Sequence, residues 1–320
     1  MNRTMLIVGG AGFIGEAMAI CAAGSGWRVV VADRLSQDKP RSGQRIPALD
    51  LDITDPEAVA ATVARISPDV VVQLAAHGAG RAGLAAGAEQ DPIRATQVNV
   101  GGLINVVSAA GSAGCRKVIW SSSSTVFGTY RAPGPDGVTE AARTKPGTIY
   151  GATKLAAEEL VRVVAPAVGV TASGLRLPLV YGPGRWYGGS QESLVDFVDD
   201  LVSGDDPHIE AWTAPADWIH VDDAASCLLA AANAESPASI YNVAGHRASL
   251  AELATELATA AGLDPARCVT PTPVGDPQVP LMNATAVTNE LGFRPVYTTA
   301  SAGAIDYLAR SRDRRPQEDQ

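Results

Sequence analysis

Residues 6–16 read LIVGGAGFIGE: a short apolar run, a cluster of glycines and the first turn of an amphipathic segment. Gly10, Gly12 and Gly15 stand in the spacing G-x-G-x-x-G. Placed directly after a strand and opening a helix, that spacing allows a turn too tight for side chains and a close backbone approach to a pyrophosphate. The free N–H groups at the helix start then attract the anion's charge. A glycine-rich turn without a ligand is the plain alternative, and the glycines alone do not exclude it.

The rest of the chain repeats the same alternation. WRVVVAD, DVVVQLAA, KVIWSSS and VTASGLRL are short, continuous apolar runs, separated by helical stretches such as DPEAVAATVARI and a segment near 92–114. Continuous rather than alternating apolar strands belong to a parallel sheet covered on both faces, so the expectation is a doubly wound α/β domain. Its expected extent is 1–178, with 217–243 returning to it, and 179–320 forms a smaller substrate domain around Pro- and Gly-rich loops. The Gly/Ala-biased run 78–88 is expected to be a loop, and the polar end RSRDRRPQEDQ to fray.

Composition narrows the partners. The net charge is −9 and no basic run is interleaved with aromatics, so a small molecule is expected rather than a nucleic acid. No apolar run reaches the length of a membrane span, and the apolar start is too short for a signal segment. Cys21, Cys115, Cys227 and Cys268 lie far apart with no CxxC, so neither a disulfide framework nor a metal site is expected, and the chain reads as a reduced, cytoplasmic protein.

The second strand ends in Asp33, 18 residues after Gly15. A carboxylate there accepts both ribose hydroxyls of NAD and repels a 2′-phosphate, although Arg34 beside it softens that repulsion. NAD is therefore expected over NADP. Asp52, after a third strand, either accepts the adenine amine or caps a helix, and Asp55 is the better placed cap.

KVIWSSSSTVFG drives a buried strand into four hydroxyls at the edge of the sheet where ligands bind, although a Ser-rich turn is the ordinary reading of any one of them. Then comes YGATKLAAEEL, with Tyr150 and Lys154 four residues apart on one helix face. They are either a surface pair worth about 0.2–0.5 kcal/mol or a phenol beside the cation that lowers its pKa.

Together these motifs resemble the extended short-chain dehydrogenase/reductases, the NAD-dependent epimerase/dehydratase family typified by UDP-galactose 4-epimerase. The resemblance spans about residues 5–310. It rests on GGAGFIG, Asp33, Asp52, LAAH at 74–77, VNVGG, SSSSTVFG, YGATK, LRLPLVYGPG and DWIHVDDAA. It implies a Rossmann-type domain holding NAD through Gly9, Gly12, Phe13, Ile14, Gly15, Asp33, Arg34, Asp52, Ile53, Leu74, Ala75, Ala76, Asn99, Ser121, Tyr150, Lys154 and Pro178. Tyr150 would be the catalytic acid or base, with Lys154 on the nicotinamide ribose lowering its pKa. Ser123, five residues before Gly128, would bond the substrate oxygen; Ser122 and Ser124 remain open, Thr125 less so. A homodimer through the helices near 92–114 and 150–165 is also implied.

Departures from the family bear on the substrate. Leu179 stands where nucleotide-sugar epimerases usually carry Asn, Ala216 where an Arg is common, and Asn283 in a stretch without the late Arg. A buried diphosphate without its donors is badly solvated. The expected substrate is thus a small sugar, sugar acid or similar secondary alcohol, oxidised with NAD. Arg81, Ser124, Arg185, Trp186, Tyr187 and His208 are candidates to meet it, each also readable as loop packing. Ser124 and Thr125 in the acidic slots of the dehydratases disfavour elimination. A sugar or nucleotide-sugar 4-epimerase is the alternative enzyme. A non-catalytic NAD-sensing scaffold is the alternative of another class.

Overall fold

The computed structural model describes residues 3–34, 48–78, 80–129, 136–273 and 280–314. The first half runs β1 (Thr4–Val8), α1 (Phe13–Gly24), β2 (Arg28–Asp33), β3 (Ala48–Asp50), α2 (Pro56–Ile66), β4 (Val70–Gln73), α3 (Gly83–Gln90), α4 (Pro92–Thr96), α5 (Leu103–Ser112), β5 (Lys117–Ser123), α6 (Ile149–Ala167) and β6 (Thr171–Leu177). The second half adds β7 (Leu179–Tyr181), α7 (Glu192–Ser203), β8 (Ile209–Trp212), β9 (Ala216–His220), α8 (Val221–Asn233), β10 (Ile240–Asn242), β11 (His246–Ala248), α9 (Leu250–Ala260), α10 (Pro265–Cys268), β12 (Val269–Thr272), α11 (Thr285–Leu291) and α12 (Ala300–Asp313).

Seven strands form one parallel sheet in the order β10-β6-β5-β4-β1-β2-β3. The strand period of two explains why the apolar runs are continuous. In β1, Met5 and Ile7 face a core shared with α1 and α8, while Leu6 and Val8 face another shared with α2, α5 and α6. Both faces are buried, so every position must be apolar.

The second half does not stay in one layer. β9 joins β7 and β11 in a three-stranded sheet, over a core that includes Tyr181, Phe197, Trp218, Leu253 and Tyr307. α8 packs against α1, and β10 extends the seven-stranded sheet beside β6. Lys117, at the start of β5, donates to the carbonyls of Ala232 and Ala234 at the end of α8, which fastens that helix to the sheet.

Two local expectations are corrected. The run 78–88 holds a short 3-10 turn and the helix α3, with Gly83, Gly87 and Ala88 buried, rather than a loop. Small residues let α3 lie close to α6 and to the turn at Gly189, where a Cβ on Gly83 would stand 2.9 Å from the Gly189 backbone. Nor does the chain fray at Arg310: α12 continues to Asp313, because Arg310 bridges Asp222 at the start of α8 and Asp306 on its own helix. The last residues, 315–320, lie outside the described ones.

Candidate functional site

The glycines make a cradle that no side chain could share. Gly9 has φ +78°, and a Cβ there would sit 2.4 Å from the Ala75 backbone nitrogen; one on Gly15 would sit 2.3 Å from the Gly9 carbonyl oxygen. α1 therefore starts hard against the end of β1. Its N-cap, Gly12, offers no side-chain cap, which leaves N–H groups of the first turn for an anion. Asp33, buried at the end of β2, accepts from the Ala11 N–H at 3.0 Å and fixes the loop's path. Arg34 is exposed beside it. This shape and donor set fit a dinucleotide.

Asp52 is not a helix cap. It accepts from the Thr54 N–H and hydroxyl and pairs with Arg94 at 2.7 Å, while Asp55 caps α2 through the N–H groups of Glu57 and Ala58. Burial works to raise the Asp52 pKa, but the Thr54 hydrogen bonds and Arg94 outweigh it and hold the carboxyl below its ordinary range. Ile53 is buried beneath the π turn, filling the space a Cβ on Gly102 would need. Ile14 packs on the α1 side of the sheet, and Leu74–Ala76 continue from β4 along the carboxyl edge, with Gln73 clasping the Ala75 backbone. Pro178 separates β6 from β7 on the same side.

β5 carries the serines to this edge, and strand alternation separates them. Ser123 accepts from the Thr125 N–H and hydroxyl at 3.2 and 2.9 Å, so its own proton is free for the Tyr150 oxygen, with which it shares a hydrogen bond. Ser122 points the other way and donates to Glu158 at 2.5 Å. Ser124 lies buried in the turn that follows. Of the serines left open by sequence, Ser123 is the one among the described residues whose hydroxyl acts on the Tyr150 phenol.

α6 presents Tyr150 and Lys154 to that strand. Thr148 caps it by accepting from the Gly151 N–H, and Glu89 accepts from the Ile149 N–H. Gly151 allows the close approach, since a Cβ there would lie 2.7 Å from the Thr125 carbonyl oxygen. Lys154 is buried, donates to the Ser121 carbonyl at 2.7 Å, and lies 5.7 Å from the centre of the Tyr150 ring. Burial lowers its ammonium to about 8, and Glu158 acts against that fall. For Tyr150, burial drives the phenol upward, Tyr187 adds to the rise, and the Ser123 hydrogen bond opposes it. The phenol is thus a proton donor until positive charge stands beside it.

Asn99 joins two parts of the site. It sits buried in a π turn, Gln97–Gly102, between α4 and α5; its side chain accepts from the His77 N–H at 2.8 Å and donates to Thr153 at 3.0 Å. Such a turn inside a helix often marks a functional position. Asn99 holds the loop after β4 against α6.

Among the residues singled out for substrate, several bond to other groups of the protein, Arg81 at the surface and Arg185 within its loop. Arg81 pairs with Asp196 and Glu192. Arg185 donates to the carbonyls of Val180 and Gly188, with its guanidinium 4.3 Å from the centre of the Tyr187 ring. Trp186 packs edge-on against Tyr187, which meets Phe13 at the start of α1. His208 stands apart, near Thr270 at the entrance to β8. Tyr187 is the ring of this group that acts on Tyr150, and its sequence signal was only its aromatic company. Glu158 and Arg176 escaped notice, although Glu158 continues the i, i+4 row from Tyr150 and Lys154.

Comparisons with known proteins give the family and the fold. Residues 5–244 match the model of the NAD dependent epimerase/dehydratase family. The UDP-glucose 4-epimerase 4 of Oryza sativa subsp. japonica is 28% identical over 92% of this chain and 87% of its own length. The solved UDP-glucose 4-epimerase of Thermotoga maritima, with UDP-glucose, superposes with a TM-score of 0.83 at 24% identity, covering 97% of this chain and 99% of that one. The L-threonine dehydrogenase of Clostridium difficile does so at 0.80 and 21%, covering 98% of each. One fold thus carries unlike substrates, and the substrate must be argued from side chains.

Proposed function

Because the chain belongs to the NAD dependent epimerase/dehydratase family, we propose that it uses NAD to oxidise a secondary alcohol of a small sugar, sugar acid or similar substrate that carries no nucleotide. The observation behind the substrate class is the fate of three positions. Leu179 and Ala216 pack against the apolar core of the second half, and the Asn283 side-chain amide oxygen accepts from the Thr285 N–H. Arg247 is paired with Asp217 and donates to the Met282 carbonyl, so it too is engaged. A diphosphate would have to find its donors elsewhere.

In the chemistry we infer, bound NAD⁺ supplies the hydride acceptor, so that the alcohol becomes a ketone and one proton is released. Ser123 and Tyr150 hold the alcohol oxygen, and the Tyr150 oxygen takes its proton. Lys154 favours the phenolate form by its charge and the Ser121 carbonyl fixes where that charge stands. The glycine cradle seats the pyrophosphate and Asp33 the adenosine ribose.

A panel of sugars, aldonates, uronates and simple secondary alcohols with NAD, followed by absorbance of reduced cofactor at ~340 nm, tests the reading. Steady accumulation of NADH with one of them, together with no competition by UDP, is the expected result. Tight UDP binding would overturn the substrate class. The similarity to UDP-glucose 4-epimerase 4 favours a second reading, an epimerase that returns the hydride within the site. Turnover without NADH release would support it.

We also infer a homodimer through α4, α5 and α6. Ile93 on α4 and Leu160 and Val163 on α6 are large apolar side chains left 72%, 45% and 60% exposed, which a partner's helices would cover. Sedimentation at micromolar concentration is expected to give about twice the mass of one chain, and a monomer there would remove the idea. The four cysteines are unbridged, which suits a reducing cytoplasm, and among the described residues no helix is long and apolar enough to cross a membrane.

A further inference from the structure

Three consecutive serines of β5 meet three residues of α6 spaced one turn apart. The Ser123 hydroxyl bonds Tyr150, the Ser121 carbonyl accepts from Lys154, and the Ser122 hydroxyl donates to Glu158. Strand and helix are thus clasped at i, i+4 and i+8 of one helical face. Only the first two contacts belong to the proposed chemistry.

The third is a buried ion pair. Glu158 takes a two-pronged hydrogen bond from Arg176 of β6, at 3.0 and 2.7 Å, and the two side chains are 9% and 5% exposed. Arg176 is itself held by the Glu140 carbonyl at 3.1 Å and stacked 4.8 Å from the centre of the Phe127 ring. Burying such a pair gains little stability over apolar residues of the same size, so its presence one turn behind Lys154 calls for another reason.

We propose that Glu158, aimed by Ser122 and Arg176, is a positioning residue that keeps Lys154 charged and in register with Tyr150. A buried ammonium bonded to one backbone carbonyl is poorly solvated and tends to lose its proton. Tyr150 stands one turn before Lys154 on α6 and Glu158 one turn after it, with Arg176 from β6 paired to Glu158; among these charges Glu158 acts to raise the ammonium's pKa. β5 contributes hydroxyls and a carbonyl only. Glu158 is then the carboxylate available to favour the ammonium, and without it Tyr150 would lose the cation its chemistry needs.

This rests on the catalytic part proposed for Lys154, but its test needs neither substrate nor NAD. The sequence holds four lysines, Lys39, Lys117, Lys145 and Lys154. Labelling lysine Cε with ¹³C therefore gives few side-chain signals, and Lys154→Met assigns the one of interest. Glu158→Gln preserves the shape and is expected to move the Lys154 titration midpoint down by ~1 pH unit, a tenfold rise in the neutral fraction's ratio to the charged one. Glu158→Asp is expected to recover part of the loss. Should Glu158→Gln leave Arg176 too exposed to its own charge for folding, the double variant Glu158→Gln/Arg176→Gln removes both charges together and is expected to shift the midpoint in the same direction by a smaller amount, since the lost guanidinium offsets part of the lost carboxylate. A midpoint that coincides with the parent's in the folded variant would overturn the proposal, since a merely structural Glu158 leaves Lys154 unmoved. A silent substrate panel would strike the proposed reaction and leave this titration intact.

Discussion

Tyr150→Phe is expected to lower kcat/KM for NAD-dependent oxidation by about a thousandfold, within the ~10²–10⁴ range that a positioned acid or base contributes. The change deletes one oxygen and nothing else. The ring keeps its place on α6, Ser123 keeps its two hydrogen bonds from Thr125, and Lys154 keeps the Ser121 carbonyl. The measurement is steady-state kinetics with whichever alcohol the panel identifies, beside a titration of NAD binding. Binding should stay within about threefold of the parent, because the phenol oxygen is asked to move a proton rather than to seat the cofactor. A variant that turns over at the parent's rate would end the Tyr150 mechanism.

Gly15→Ala should abolish measurable NAD binding while Gly12→Ala weakens it more mildly. The added methyl at 15 would lie 2.3 Å from the Gly9 carbonyl oxygen and 2.5 Å from the Gly10 Cα, both backbone atoms that cannot swing aside. The methyl at 12 meets only the Gly9 oxygen, at 3.2 Å. Relieving the first contact means prising α1 from the end of β1. Overpacking of that kind costs about 1–3 kcal/mol, and ~2.7 kcal/mol lost from binding is a hundredfold in Kd. Fluorescence titration with NADH, alongside thermal melts to confirm folding, reads both variants. Equal affinities for the two would show that the cradle does not hold the pyrophosphate.

The parallel sheet could be read from sequence because β1, β4 and β5 are apolar at successive positions, which only a strand covered on both faces requires. Tyr150 and Lys154 stood out once a serine strand and a glycine turn were seen upstream. What escaped shares one cause: it is decided by partners remote in the chain. α3 sets two glycines, Gly83 and Gly87, against its helix-favouring alanines, and exists where small residues fit against α6. Glu158 looked like one more surface acid of a helix rich in them, and only Ser122 and Arg176 reveal that it faces inward. Arg81 and Arg185 show the converse limit, since a loop arginine shows its charge in the sequence but not the carboxylates and carbonyls it meets in the fold.

The π turn at Gln97–Gly102 makes the length of its helix a functional quantity. Such a turn carries one residue more than the same stretch of α-helix, and the surplus sets the angle at which Asn99 leaves the axis. Removing any one residue from it would restore regular winding and give a better helix by local criteria. Every side chain on one side of the cut would then turn by about 100° relative to the other. Asn99 could no longer reach both His77 and Thr153, and the strand loop and α6 would part. In this segment a gain in helical regularity and the loss of the site are the same event, so random deletions here should be tolerated by folding and rejected by activity.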